Sequence, residues 1–161
     1  MAIRSDAGEP NTGRDVVRQV IAEYNGIDIL GTSRCGHIRT VADVFKVNNA
    51  GVAHFIALQD ASIEDYARNF DVNFRGPMLT TQAVLQHIRP GGRIIMITSK
   101  ASRLNLGDPY SLYGASKAAL ENFTRSVATE FAARKQITIN SIMPGAVDTG
   151  RSGCKRSHPV C

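Results

Sequence analysis

A tyrosine and a lysine one helical turn apart are the side chains of this sequence best suited to chemistry. Tyr113 and Lys117 lie in a segment that we predict to be helical, and residues four apart rise from the same helix face. A phenol ordinarily titrates near pH ~10, and a neighbouring ammonium favours its ionised form. The pair could therefore exchange a proton near neutral pH. The alternative is an ordinary amphipathic helix with a solvated lysine, as in most isolated matches to this spacing.

A hydroxyl group is predicted to lie near this helix, at the end of a strand. The apolar, β-branched run after the turn Pro90–Gly92 predicts a buried strand over 93–99, with Ser99 at its carboxyl end. Open α/β sheets bind ligands at the carboxyl ends of their strands. A serine there, followed by a loop and then a helix that carries Tyr113 and Lys117, favours the catalytic interpretation over the amphipathic one.

Strands and helices alternate along the rest of the sequence. We predict a helix over 14–24, a strand over 27–30, helical structure over 62–87 that bends at Gly76-Pro77, the strand 93–99, a helix over 111–134 and a strand over 137–142. Alternation of this kind predicts an α/β fold, in which helices flank a parallel sheet.

Five motifs in one order resemble those of the short-chain dehydrogenase/reductase family. They are Asp6, the turn Asn48-Asn49-Ala50-Gly51, Asn73 in Asp71–Gly76, the set Ser99, Tyr113 and Lys117, and the loop 144–149. Their order and spacing agree over roughly residues 2–30 and 47–149. The interval from Ser99 to Tyr113 is similar to that of fungal naphthol reductases and related carbonyl reductases, and the family also includes the 3-oxoacyl carrier-protein reductases.

The resemblance implies a Rossmann-like parallel sheet and an NAD(P)-dependent oxidoreductase that acts on a carbonyl/alcohol pair. It implies that Tyr113 exchanges a proton with the substrate oxygen and that Ser99 hydrogen-bonds that oxygen. It also implies that Lys117 binds the nicotinamide ribose and that Asn73 anchors a water chain. The residues implied to bind the cofactor, NADP in preference to NAD, are Asp6, Asn48, Ala50, Gly51, Tyr113, Lys117, Pro144, Gly145, Val147 and Thr149.

Plainer interpretations of some of these residues stay open. Asp6 could simply end a strand, and Asn48 and Gly51 could merely form a turn. The sequence also contains no Gly-x-x-x-Gly-x-Gly or Gly-x-Gly-x-x-Gly turn, the motif that holds a cofactor pyrophosphate at a helix N-terminus. We therefore expect the first βα unit to be missing and NADPH binding to be weak or absent.

Residues 31–46 depart from the family's pattern, which has one continuous strand from 27–30 into Val47. Natural insertions avoid buried central strands. A second interpretation of the chain is accordingly a truncated or mis-spliced product that retains 31–46 as intron-derived sequence. Such a product would be catalytically inactive and would at most associate with full-length relatives.

The excess positive charge lies in two segments that resemble nothing in the family. Residues 31–46 carry a net charge of +2 and residues 151–161 a net charge of +3, which together equal the net charge of the chain, +5. All three cysteines, Cys35, Cys154 and Cys161, lie in the same two segments. We predict one partial dinucleotide-binding domain over 1–149, with 31–46 as an atypical insert, followed by a disordered basic tail over 150–161.

The remaining features argue against other functional classes. The set Cys154, His158 and Cys161 fits no structural zinc pattern, and Lys155-Arg156 is too short a basic run for nucleic acid. No apolar stretch approaches the ~20 residues of a membrane span, and no signal-peptide pattern occurs. We expect a soluble, cytoplasmic protein that binds a small-molecule carbonyl or alcohol and no metal. The resemblance implies a homo-oligomer formed through helices 62–87 and 111–134.

Overall fold

Helices and strands alternate along the chain, which confirms the predicted α/β class. The computed structural model describes residues 3, 5–31, 45–47 and 51–145. Its helices are α1 (Thr12–Tyr24), α2 (Ile63–Phe70), α3 (Gly76–Val84) and α4 (Ser111–Lys135), and its strands are β1 (Ile27–Gly31), β2 (Phe45–Val47), β3 (Ile88–Ile97) and β4 (Thr138–Ile142). A π-helical turn, Asp71–Arg75, joins α2 to α3, and short 3₁₀ turns cover Leu58–Asp60 and Lys100–Ser102.

The strands form a parallel sheet in the order β2-β1-β3-β4. Side chains of a strand alternate between the two faces of a sheet, and β3 buries Ile94 and Met96 completely on one face. Residues of α1, α3 and α4 join these two side chains in one hydrophobic core, whose helical members include Val17, Val84 and Leu120. These three helices therefore cover the same face of the sheet.

Helix α1 follows its predicted pattern closely. Val16, Val17 and Val20 are buried, as the 3.6-residue periodicity predicts, and Ile21 is partly buried against the core. The helix ends at Asn25, which adopts a left-handed conformation (φ 54°) and donates its backbone N–H to the carbonyl oxygen of Ile21. Asparagine tolerates this conformation better than most residues, so the residue that ends the helix is set locally.

Around residues 31–46 the chain departs from the family's single continuous strand, as the sequence predicted, but the end of the predicted insert forms part of a second strand. Strand β1 ends at Gly31, and Phe45–Val47 forms a separate strand that pairs with β1 in parallel, with Ile29 opposite Phe45. Two neighbouring parallel strands cannot be joined by a tight hairpin and need a crossover of a dozen or more residues. The interval 32–44, which lies outside the described residues, is long enough for that connection.

Strand β3 is longer and less regular than the predicted strand over 93–99. It runs from Ile88 to Ile97, and the predicted turn Pro90–Gly92 lies within it as an irregularity that shifts the register against β1. Gly91 has φ +84° and donates its backbone N–H to the carbonyl oxygen of Gln136, 2.7 Å away. Glycine permits this conformation, so the Pro-Gly-Gly sequence bends the strand without ending it.

Helix α2 begins with a capping box formed by Ser62 and Asp65. The Ser62 hydroxyl accepts the backbone N–H of Asp65, and the Asp65 carboxylate accepts the backbone N–H and the hydroxyl of Ser62. Nε2 of His54 lies 2.5 Å from the same carboxylate. Hydrogen bonds from Ser62, followed by the contact with His54, lower the pKa of Asp65 to about 2.

The predicted bend at Gly76-Pro77 takes the form of the π-helical turn. Gly76 donates its backbone N–H to the carbonyl oxygen of Asp71, five residues earlier. Pro77 has no N–H to donate to the carbonyl of Asn73, and its ring would clash with that group in a regular α-helix. The wider turn relieves the clash. Single π-helical turns of this kind are frequent at functional sites.

The close contact at Gly76 yields a stability prediction. A Cβ atom placed on Gly76 would lie 2.3 Å from the carbonyl oxygen of Ala7, a backbone atom of the preceding segment. Gly76→Ala is therefore expected to lower the free energy of unfolding by about 1–3 kcal/mol, measured by urea denaturation. Gly8→Ala is the matched control, because its Cβ would meet no backbone atom: it would lie 3.3 Å from the Asp6 carboxylate, a side chain that can move, and in ordinary contact with Val72 Cγ2 at 3.5 Å. Equal stability of the two variants would contradict the steric explanation.

Candidate active site

Helix α4 brings the predicted lysine to the carboxyl end of β3 and carries the predicted tyrosine one turn earlier. The Lys117 side chain is buried, and its Nζ donates to the carbonyl oxygen of Ile97, the last residue of β3, at 3.1 Å. Tyr113 is partly buried, and its ring meets the ring of Phe55 edge to face, with 5.5 Å between centroids. The solvated lysine of the amphipathic interpretation is therefore wrong, since the ammonium is held inside the protein at the sheet edge.

Ser99 lies two residues beyond the end of β3. Its backbone is extended, and its Oγ accepts the backbone N–H of Ala101 at 3.2 Å. The backbone N–H of Ser102 donates to the Ser99 carbonyl oxygen at 2.9 Å, which closes a 3₁₀ turn. We call residues 99–103 the serine turn. It starts at the same sheet edge as the Lys117 ammonium, which binds the carbonyl oxygen two residues before Ser99.

The fully buried side-chain amide of Asn73 connects two segments of the candidate site. Its Oδ1 accepts the backbone N–H of Val52 at 3.0 Å, and its Nδ2 donates to the Val52 carbonyl oxygen at 2.9 Å and to the Ser116 hydroxyl at 3.0 Å. That hydroxyl in turn donates to the carbonyl oxygen of Tyr113 at 2.7 Å. Asn73 thus ties the segment after Gly51 to the first turns of α4, and its predicted water-chain role stays a prediction.

Gly51 directly precedes Val52, the residue bound by Asn73, and lies next to Lys117. A Cβ atom placed on Gly51 would lie 3.4 Å from Oδ1 of Asn73 and 3.4 Å from Nζ of Lys117. The structure therefore brings Gly51, Asn73 and Lys117 together, as the sequence predicted. Asn48 and Ala50, the other predicted binding residues of this turn, lie outside the described residues.

The start of the predicted cofactor loop contacts the serine turn. Pro144 accepts the backbone N–H of Lys100 through its carbonyl oxygen at 3.2 Å. A Cβ atom placed on Gly145 would come within 3.3 Å of the Lys100 side chain. Pro144 and Gly145 are therefore adjacent to the turn that carries Ser99. Val147 and Thr149 lie outside the described residues.

Asp6 has a local structural contact. Its carboxylate accepts the backbone N–H of Gly8 at 2.8 Å, and its carbonyl oxygen accepts the Thr12 hydroxyl at the start of α1. Aspartates commonly close turns in this way. Residues 5 and 6 are not part of a strand, so Asp6 closes a turn and does not end a strand, and its predicted adenine contact stays a prediction.

A buried glutamate that the sequence analysis missed lies on the same side of α4. Glu121 follows Lys117 by one turn, and its side chain is 5% exposed. Its carboxylate accepts from Nε of Arg103 at 2.8 Å, from the Ser102 hydroxyl at 2.6 Å and from Nη1 of Arg125 at 3.0 Å, and Nη2 of Arg103 also donates to it. The hydrogen bonds from Arg103, followed by that from Ser102, lower the pKa of Glu121 to about 2. The available signal was an acidic residue in an otherwise buried helical stripe.

Acid unfolding is expected to depend on this carboxylate. The pKa of Glu121 is lower in the folded state than its ordinary value of 4.5. Its contribution to stability is therefore complete above pH ~4.5 and is lost as the pH falls toward ~2, an effect of about 1–3 kcal/mol. Urea denaturation at several pH values should show a smaller acid loss for Glu121→Gln than for the wild type. Glu130→Gln, at an exposed position of α4, should follow the wild type, and an equal acid loss in both variants would refute the assignment.

Among the residues that the structure describes, no helix is both long enough and apolar enough to span a bilayer. Nor do these residues place three or more His, Cys, Asp or Glu side chains together as a metal would require. The set Cys154, His158 and Cys161 lies outside them.

The sequence is similar to those of known proteins over most of its length. A family model described as short chain dehydrogenase matches residues 1–159. The short-chain dehydrogenase/reductase FrzI of a Cladobotryum species is 40% identical over 148 residues, which are 92% of this chain and 50% of the relative. The hydroxynaphthalene reductase arp2 of Aspergillus fumigatus is 32% identical over 164 residues, which cover 100% of this chain and 53% of the relative. The chain thus spans about half the length of the curated relatives it matches.

Solved structures of similar sequence share the fold. A short-chain dehydrogenase of Burkholderia cenocepacia, solved in complex with NADP, has a TM-score of 0.78 and 30% identity, over 91% of this chain and 53% of that chain. A blue fluorescent protein from a metagenomic library, solved in complex with NADPH, has a TM-score of 0.78 and 32% identity, over 92% and 53% of the two chains.

Proposed function

The chain belongs to the short-chain dehydrogenase family, and on that premise we propose that it is an NAD(P)-dependent oxidoreductase that interconverts a carbonyl compound and an alcohol. One observation carries the proposal: the buried ammonium of Lys117 is fixed to the end of β3, one helical turn from Tyr113. A lysine with only a solvated, surface role would not be buried, because burying an ammonium is costly unless it is hydrogen-bonded. A catalytic centre at this sheet edge, where open α/β sheets bind their ligands, explains why the ammonium is held there.

In the proposed reduction, Tyr113 donates its phenolic proton to the substrate carbonyl oxygen. The Ser99 hydroxyl donates a hydrogen bond to the same oxygen, and this bond strengthens as negative charge develops there. The nicotinamide cofactor supplies the hydride when it is bound. Lys117 holds the ribose of the cofactor, and Asn73 keeps the segment after Gly51 and the start of α4 at a fixed distance.

We propose NADP as the cofactor, and the residues present suit its nicotinamide–ribose half. Gly51 has no side chain next to the Lys117 ammonium, which suits the close approach of a hydroxyl-bearing ring to both groups. Two similar structures were solved with NADP and NADPH. The sequence contains no glycine-rich pyrophosphate turn, so we expect the affinity for NADPH to be low.

The test of this function is NADPH-dependent reduction of a ketone by the purified chain. Because one similar protein is a hydroxynaphthalene reductase, the bicyclic aromatic ketone 2-tetralone is a suitable first probe. Oxidation of NADPH is followed by absorbance, and NADPH binding is followed separately by fluorescence. Turnover that requires both NADPH and the ketone is the expected result. Failure to bind NADPH at millimolar concentration, together with no turnover, would instead favour the inactive, truncated or mis-spliced chain.

A further inference from the structure

One buried carboxylate connects helix α4 to the serine turn. Glu121 accepts hydrogen bonds from Ser102 and Arg103, both of which belong to that turn. Ser102 in turn donates its backbone N–H to the carbonyl oxygen of Ser99, and Ala101 donates its own to the Ser99 hydroxyl. Direct hydrogen bonds thus lead from the carboxylate to the residue that carries the proposed catalytic hydroxyl.

The serine turn also restrains the start of the predicted cofactor loop. The Ser102 hydroxyl, which donates to Glu121, lies 3.6 Å from the sulfur of Met143. Lys100 donates its backbone N–H to the carbonyl oxygen of Pro144. A displacement of the serine turn would therefore move both Ser99 and the start of the predicted cofactor loop at Pro144.

The position of Glu121 on α4 gives this connection its meaning. Glu121 lies one helical turn after Lys117 and two turns after Tyr113, within a single helix of 25 residues. A group attached to Glu121 is therefore held at a fixed position relative to both side chains. We propose that Glu121 is a positioning residue, which sets the place of Ser99 relative to Tyr113 and Lys117. The inference rests on the proposed function, because it assigns these three residues to one reaction.

A purely stabilising ion pair is the competing explanation. Removing one partner of a buried ion pair is generally destabilising, whatever that pair positions. The two arginines that bind Glu121 separate the explanations. Both donate to Oε1 of Glu121, and their side chains are 61% and 62% exposed, but only Arg103 belongs to the serine turn. Arg125 lies on α4 itself, so its loss leaves the turn attached.

Arg103→Met and Arg125→Met therefore form a matched pair of variants. Hydrogen exchange of the backbone amides in residues 98–106 reports the order of the serine turn, and kinetics with NADPH and 2-tetralone report catalysis. For Arg103→Met we expect exchange in this segment to rise by about tenfold and kcat to fall by about tenfold with little change in the KM for NADPH. For Arg125→Met we expect exchange and kcat to stay within about twofold of the wild type.

The two measurements also separate this inference from the proposed function. Equal exchange in the two variants would overturn the positioning role, as would a kcat loss that is equal in both. Absence of turnover by the wild-type chain would contradict the proposed function and leave the exchange comparison to decide whether Glu121 holds the turn. Unequal exchange with equal kcat would show that the turn is held but that its position does not matter to the reaction, which also overturns the proposal.

Discussion

Tyr113→Phe is expected to lower the rate of NADPH-dependent ketone reduction by about 10²–10⁴-fold, the contribution typical of a positioned general acid. The substitution removes only the hydroxyl group. The phenylalanine ring keeps the edge-to-face contact with Phe55 that Tyr113 makes at 5.5 Å between centroids. The free energy of unfolding and the affinity for NADPH should therefore change little, so that the loss appears in kcat.

Tyr110→Phe is the matched control for this experiment. Tyr110 directly precedes α4, and its ring also packs on Phe55, with 4.6 Å between centroids. The two tyrosines thus pack on the same aromatic side chain and lie three residues apart in the sequence. We expect Tyr110→Phe to retain activity within about twofold, as surface-type substitutions commonly do. Ketone reduction by Tyr113→Phe at the wild-type rate would exclude the phenol as the proton donor.

The features that the sequence predicted well are those set by local patterns. The bounds of α4 and the one-turn spacing of Tyr113 and Lys117 follow from helical periodicity alone. The end of α1 at Asn25 and the capping box of Ser62 and Asp65 depend on residues within four positions of each other. Each of these features is complete within a short segment, so no knowledge of the fold was needed.

The features that the sequence analysis missed depend on contacts between distant segments. The Pro-Gly-Gly segment predicts a turn, but Gly91 bonds to Gln136, and that partner keeps the segment in the sheet. The strand Phe45–Val47 exists through its pairing with β1, and no local pattern indicated that residues 45 and 46, assigned to the insert, belong to a strand. Glu121 was missed for the same reason, because two of its donors lie 18 and 19 residues away on the serine turn.

Asn73→Ala is expected to lower both the stability of the fold and the catalytic activity. The variant leaves the part-buried N–H and carbonyl groups of Val52 without their side-chain partner and removes the buried contact with Ser116. Buried groups that lose a hydrogen-bond partner cost about 1–3 kcal/mol each, so the free energy of unfolding should fall by about 2–4 kcal/mol. Because Ser116 also bonds to the Tyr113 carbonyl, the start of α4 loses its brace, and kcat should fall by about tenfold or more.

Asn69→Ala separates these two effects. Asn69 lies one turn before Asn73, is equally buried, and donates to the carbonyl oxygens of His54 and Asp65 at 3.0 and 3.3 Å. It has the same chemistry, and its bonds stay within the 54–69 region. Urea denaturation should show a comparable loss of stability for Asn69→Ala, while kcat per folded molecule stays near the wild-type value. If both variants lose activity in proportion to their loss of stability, Asn73 serves only the fold. Hydrogen bonds that hold the active site in place must affect the reaction more than those of an equally buried amide one turn away.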